Sequence, residues 1–152
     1  MEIKILIGLP GSGKSTYCET VKNKQDVILA TDDIREELFG ETFSERIKAK
    51  VFKELINRSI RALQKNKNLI IDTTFLNEKD YRNIFLREVS AVNKNLIKKA
   101  ICFNTNIEKC IDRDKLREKK RFVGKTIIYE LSKHLVWPNN SENFDEIKFI
   151  NN

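Results

Sequence analysis

Gly8-Leu9-Pro10-Gly11-Ser12-Gly13-Lys14-Ser15 reads as the phosphate-binding pattern G-x-x-x-x-G-K-[ST]. Its flanks are those the pattern requires: the β-branched run Ile3 to Ile7 before it and a helix-like run from Lys14 after it. Glycines let the main chain bend around an anion with its N–H groups turned inward, and the helix that follows adds its positive end at the same spot. Lys14 is then placed to reach the outer phosphates, and the Ser15 hydroxyl to ligate Mg²⁺. The candidate nucleotide-binding residues are Gly8, Pro10, Gly11, Ser12, Gly13, Lys14, Ser15 and Thr16. They point to a bound nucleoside triphosphate.

Outward from this loop, strand-like and helix-like stretches alternate. Ile3 to Ile7 reads as a strand buried on both faces, Lys14 to about Lys22 as a helix, and Asp26 to Ala30 as a second strand. In Thr31-Asp32-Asp33-Ile34-Arg35-Glu36, Asp33 and Glu36 have capping-box spacing, which leaves Asp32 at the exposed end of the strand. Thr42 and Glu45 repeat that spacing before a long helix with Phe52, Leu55, Ile56, Ser59 and Leu63 on one face. A third strand, Asn68 to Asp72, leads to a helix from Asn77, the expected N-cap, to about Val92, with Tyr81, Ile84, Phe85, Val89 and Val92 inward. A fourth strand ends at Phe103, helices start near Ile107 and Thr126, and Phe144 to Ile150 closes the chain as an edge strand. Alternation of this kind predicts an α/β fold, an αβα sandwich around a central, mostly parallel sheet, with ligands at the carboxyl ends of the strands.

Composition narrows the classes. At 152 residues the chain suits one domain, residues 1–152, able to bury its apolar surface without disulfides or metals. Three cysteines, Cys18, Cys102 and Cys110, lack C-x-x-C spacing, and the one histidine, His134, has no metal-ligating neighbours, so packed thiols in a cytoplasmic protein are expected rather than a zinc site. The only apolar run near the N-terminus is too short for a membrane span and enters the phosphate loop, so no membrane partner is expected. Lys plus Arg number 29 against 22 for Asp plus Glu, a net charge of +7, which favours polyanionic partners.

A phosphate loop does not by itself separate a kinase from an ATPase, a GTPase or a motor; the acceptor side does. Phosphoryl transfer needs an in-line attacking oxygen, and a carboxylate beside it can take its proton. Asp32 is the candidate base, and Arg35, one turn on, can grip an anionic group of the acceptor. Asp72 ends a strand where it can hold a Mg²⁺ water or orient Arg35, with Thr73 beside it. Between Lys109 and Lys125 the chain is densely basic, and Arg113 and Arg117, four apart, would point one way from a helix to close over the triphosphate as a lid at about 109–125.

Assembled, the motifs Gly8 to Thr16, Asp32-Asp33-Ile34-Arg35, Asp72-Thr73, and Arg113 with Arg117 resemble the kinase domain of the polynucleotide 5'-kinase family, within the small P-loop kinases. The resemblance spans nearly the whole chain. It implies a P-loop NTPase fold with a helical lid, with Lys14 and Ser15 serving ATP and Mg²⁺. Asp32 would be the base for the 5'-hydroxyl, Arg35 would hold an acceptor phosphate, and Asp72 would support the acceptor side. Arg113 and Arg117 would form the lid. It further implies a nucleic acid 5'-hydroxyl end, DNA or RNA, as substrate, and leaves room for a phosphatase or ligase partner in trans. GTP stands as an alternative to ATP. The rival readings are a small-molecule kinase acting on a nucleoside, nucleotide, sugar or antibiotic, and a non-catalytic nucleotide-dependent switch.

Overall fold

Strand β1 (Glu2–Ile7) lies mid-sheet: Ile3, Ile5, Leu6 and Ile7 are all fully buried, and only Glu2 and Lys4 at its start are half-buried and paired with each other. Its two faces feed different clusters. Ile3, Ile5 and Ile7 pack with Leu55 and Leu63 of α3 (Glu45–Gln64) and Phe85 and Val89 of α4 (Lys79–Ser90). Leu6 packs on the other side with Cys18, Ile70, Ile101 and Phe103. Burial on both faces is the mark of a central strand in a parallel sheet.

The computed structural model describes residues 1–152. The remaining strands are β2 (Asp26–Ala30), β3 (Asn68–Asp72), β4 (Ile97–Phe103) and β5 (Glu146–Ile150), and the remaining helices α1 (Lys14–Val21), α2 (Thr31–Phe39), α5 (Ile107–Lys115) and α6 (Lys125–His134). The strands run in the order β2-β3-β1-β4-β5, all parallel, so the expected α/β fold is present. β3 inserts between β1 and β2, and its register puts Asp72 beside Leu6 on one side and Ala30 on the other. The sheet grows away from β1 in both directions, and at such a switch point the strand ends leave a crevice.

Several local expectations change. Helix α2 begins at Thr31 directly from β2, with no side-chain cap, so Asp32 lies in its first turn rather than at a strand end. Asp33 does not cap it; its carboxylate instead faces Arg121 at 3.4 Å. Helix α3 is capped by Ser44, which accepts from the Ile47 N–H at 3.2 Å, and Thr42 lies in the preceding turn, its backbone N–H donating to the Phe39 carbonyl. Asn77 caps nothing; it ends a short 3-10 turn, Phe75–Asn77, and α4 starts after Glu78. Ile84 and Val92 are exposed, since the inner face of α4 runs through Arg82, Phe85, Leu86 and Val89 and the helix stops at Ser90. The basic stretch 109–125 is all but the first two residues of α5, then a turn-rich loop that ends where α6 begins. That loop is folded by Asp114, whose buried carboxylate accepts from the Val123 and Gly124 N–H groups at 3.0 and 2.8 Å.

One charged pair is entirely inside. Arg82 Nε donates to Glu142 at 2.8 Å, and Arg82 also donates to the carbonyls of Leu76, Asn77 and Val136 at 3.0, 3.2 and 2.8 Å. Both partners are satisfied by several bonds, which is what a buried ion pair needs to survive desolvation. The pair pins the segment between α6 and β5 against the turn before α4. No helix is long and apolar enough to cross a membrane.

Two measurements test this packing. Ile5→Ala should lower unfolding stability in urea by about 2–5 kcal/mol, while Ile97→Ala, at a partly exposed strand start, should cost under about 1 kcal/mol; similar losses would contradict the burial difference. All three cysteines are free and buried, and burial pushes the Cys18 and Cys102 thiols up to about 12. A thiol reagent at pH 8 should therefore leave the native protein almost unmodified and label all three cysteines once it is denatured.

Candidate functional site

The loop after β1 is shaped by close approach. Gly11 and Gly13 have φ of 81° and 106°, a region that L side chains rarely enter. A Cβ on Gly11 would also collide with the Cys110 carbonyl, because α5 packs directly on the loop. Ser12 is fully buried behind it. Lys14 opens α1 and folds back, its Nζ donating to the carbonyls of Gly8 and Leu9 at 2.9 Å each. It is 7% exposed, and burial lowers its pKa, with Asp72 opposing that effect and Arg117 adding to it. An ammonium whose direct partners are carbonyls is under-compensated, which is what a polyphosphate entering the loop would correct.

The residues present also fit a Mg²⁺ ion. Ser15 Oγ donates to Asp72 Oδ2 at 2.9 Å, bringing one hydroxyl and one carboxylate together at the head of α1. Nowhere do three or more His, Cys, Asp or Glu gather into a protein-only metal cage. A single hydroxyl and carboxylate suit an ion that keeps waters and takes its other ligands from phosphates.

Asn77 holds the loop, a role that sequence reasoning missed. Its side chain is 2% exposed and pairs twice with Gly8: the Gly8 N–H donates to Oδ1, and Nδ2 donates to the Gly8 carbonyl, both at 2.9 Å. The amide imitates a neighbouring strand just where β1 runs out of one. The Gly8 carbonyl thus receives both Asn77 and Lys14. Asn77 is fixed in turn through its own carbonyl, which accepts from the Val136 N–H and from Arg82. The only sequence signal was an Asn a few residues after a strand, and capping explained it too readily.

A cleft of about 780 Å³ runs over the loop. Pro10, Gly11, Gly13, Lys14, Ser15 and Thr16 line it, as do Asp32, Arg35, Asp72, Thr73, Arg113 and Arg117. Of the candidate residues, Gly8 and Ser12 alone lie behind the surface, as supports. Asp32 and Arg35 form an ion pair at 3.6 Å. Below them the Thr31 and Thr73 hydroxyls, brought together by the β2–β3 register, share a hydrogen bond of 2.6 Å. Arg113 donates to the Gly11 carbonyl at 3.3 Å, and Arg117, just past the end of α5, meets Asp114 at 3.5 Å. The two arginines therefore border the loop without direct bonds to Asp32 or Asp72. Arg121 and Lys120, from the loop after α5, reach Asp33 and Glu36 of α2 at 3.4 and 3.5 Å.

The AAA_33 family model, an AAA domain, matches residues 3–130. No curated protein matches the chain. Among solved structures, a chain of the Pnkp1/Rnl/Hen1 RNA repair complex superposes with a TM-score of 0.75 at 24% identity, covering 95% of this chain and 46% of that one. This chain thus spans under half the length of that relative. A sugar kinase from Janibacter sp. HTCC2649 gives 0.70 at 12% identity over 99% of this chain and 85% of that one. Kti12 of Chaetomium thermophilum, in complex with ADP-AlF3, gives 0.64 at 14% identity over 98% and 88%. At these identities the likeness is one of fold, an α/β P-loop kinase-like fold.

The clamp and the buried lysine can be tested without any acceptor. Asn77→Asp, which sets a carboxylate oxygen against the Gly8 carbonyl, should weaken Mg–ADP binding by about tenfold, the equivalent of one hydrogen bond near a charge. Lys14→Met should abolish that binding. Because burial lowers the Lys14 pKa below its unfolded value, the native apoprotein binds fewer protons there, so wild-type stability gains as pH rises between those two values. The Lys14→Met variant should lack that gain; an identical pH–stability slope in both proteins would contradict it.

Proposed function

The chain belongs to the AAA_33 family, and from that premise we propose that it is an ATP-dependent kinase acting on the 5'-hydroxyl end of a nucleic acid. The observation that carries the proposal is the Asp32–Arg35 pair at 3.6 Å, facing the same cleft as Lys14 and Ser15. A binding switch has no need of a carboxylate and a guanidinium on the far side of the phosphates. ATP with Mg²⁺, when bound, supplies the transferable γ-phosphoryl group. Lys14 neutralises phosphate charge from inside the loop, and Ser15 with Asp72 offers oxygen to the ion. Asp32 takes the proton of the attacking hydroxyl, and Arg35 holds an anionic group of the acceptor against the first turn of α2. Arg113 and Arg117 close the cleft from the α5 side as a lid and offset charge that develops during transfer.

A polynucleotide acceptor is supported by the basic balance of the chain, +7, and by the cations Arg35, Lys48, Arg113, Arg117 and Arg121 around one cleft. The likeness to a chain of an RNA repair complex agrees with this reading, and with a phosphatase or ligase acting in trans. Three unpaired, buried cysteines agree with a reducing compartment, the cytoplasm. The whole of residues 1–152 acts as one kinase domain in this reading. The likeness to a sugar kinase favours a small hydroxyl acceptor as the second reading.

The deciding experiment incubates the protein with γ-labelled ATP, with GTP in parallel, Mg²⁺ and a panel of 5'-hydroxyl DNA and RNA oligonucleotides, nucleosides and sugars. Label in oligonucleotides is expected; label confined to a sugar or nucleoside would select the second reading. Asp32→Asn should lower turnover by about 10²–10⁴-fold with nucleotide binding retained, and unchanged turnover would remove Asp32 as the base.

A further inference from the structure

Beyond Asp32 and Arg35 the cleft continues past Phe43 and Lys48, neither of which the transfer chemistry uses. Phe43 stands in the connection between α2 and α3 and is 61% exposed. Other aromatic rings near the cleft are partnered: Phe75 and Phe52 pack with Tyr81 at 6.0 and 5.0 Å, and Tyr17 packs edge-on against Phe103 at 5.4 Å. Phe43 pairs with no ring, and the Arg35 guanidinium lies 6.0 Å from its centroid. An apolar ring of that size left in water at the mouth of a phosphate cleft is a stacking surface without its second layer.

Lys48 supplies the complementary charge. Its Nζ lies 5.4 Å from the Phe75 ring centroid and 5.1 Å from that of Tyr81, so two ring faces orient it. It enters none of the ion pairs of the chain. An aligned cation with no carboxylate beside it is free for an anion. Arg35 neighbours both Asp32, at 3.6 Å, and the Phe43 ring, whose centroid lies 6.0 Å from its guanidinium.

We infer that Phe43 and Lys48 form the acceptor's first-nucleotide subsite, Phe43 stacking on the 5'-terminal base and Lys48 contacting the phosphate that follows. The inference rests on the kinase reading above and specifies its substrate: a base-bearing strand end rather than a sugar. An aromatic face with flanking cations binds single-stranded nucleic acid in a sequence-tolerant manner, because every base offers a π-face. The acceptor is therefore an unpaired 5'-terminal nucleotide, recognised through its base as a flat surface rather than by its identity.

The test compares wild type, Phe43→Ala and Phe43→Trp on single-stranded oligonucleotides that carry either a normal or an abasic 5'-terminal nucleotide. Wild type should favour the base-bearing end by about tenfold in acceptor KM, as loss of one stacked base predicts. That ratio should collapse to near unity in Phe43→Ala and return in Phe43→Trp. An equal rise in KM for both oligonucleotides in Phe43→Ala, or an unchanged ratio, would overturn the stacking role. A second readout needs no transfer: a 5'-terminal 2-aminopurine should be quenched on binding to wild type and not to Phe43→Ala. Loss of quenching without any phosphoryl transfer by wild type would keep the subsite and sink the kinase reading. Transfer with quenching intact in Phe43→Ala would do the reverse. For Lys48, Lys48→Gln should flatten the salt dependence of oligonucleotide binding by about 0.7 in log–log slope, the contribution of one single-strand phosphate contact; an unchanged slope would overturn that contact.

Discussion

The phosphate loop depends on how the end of β1 is held. Past Ile7 the main chain has left the sheet, and the polar groups of Gly8 would be buried without ladder partners. The Asn77 amide satisfies both, at 2.9 Å each. A buried amide pair left unmade would cost several times what a made one contributes, so this contact determines where the loop begins. From that point Gly8 offers its carbonyl to Lys14, and the ammonium is aimed back across the loop. Asn77 owes its own position to Arg82, whose guanidinium ties the turn before α4 to Glu142 near the far end of the chain. A path of buried polar contacts thus connects the segment before β5 to the nucleotide site.

Charge is distributed around the cleft in two regimes. Inside, Lys14 is dehydrated and its pKa falls, an effect that an anion entering the loop would oppose. At the rim the cations are paired loosely with exposed carboxylates: Arg35 with Asp32, Arg121 with Asp33, Lys120 with Glu36. Exposed pairs of this sort contribute little to stability and exchange partners readily. The buried Asp114 carboxylate, in contrast, holds the base of the loop after α5 through two backbone N–H groups.

Much of the site is written locally. The loop pattern, its strand and helix flanks, and the Asp32–Arg35 spacing need only residues a turn or two apart, and one cleft is lined by Pro10, Gly11, Gly13 to Thr16, Asp32 and Arg35. Local reading failed at polar residues whose spacing alone suggested a cap. Asn77, Asp33 and Thr42 all fit helix caps by spacing, yet Asn77 is drawn to Gly8, Asp33 faces Arg121, and Ser44 does the capping that Thr42 was expected to do. For Asn77 the reason is energetic: a cap contributes about 1 kcal/mol, and the buried Gly8 groups it serves outweigh that. Phe43 was passed over for the opposite reason, since an exposed ring leaves no periodic signal.

By itself the sequence determined the alternation of strands and helices, the central apolar strand and the glycine loop with its lysine and serine, because each depends on short-range periodicity and backbone permissiveness. It could not rank the strands in space. Only the tertiary structure decided that β3 lies between β1 and β2, which sets Asp72 against Ser15 and Thr73 against Thr31. Only the fold, likewise, brought Asn77 to Gly8 across 69 residues and Arg82 to Glu142 across 60. The reason is physical: buried polar groups must find partners wherever packing puts them, and that search is settled by the whole chain at once.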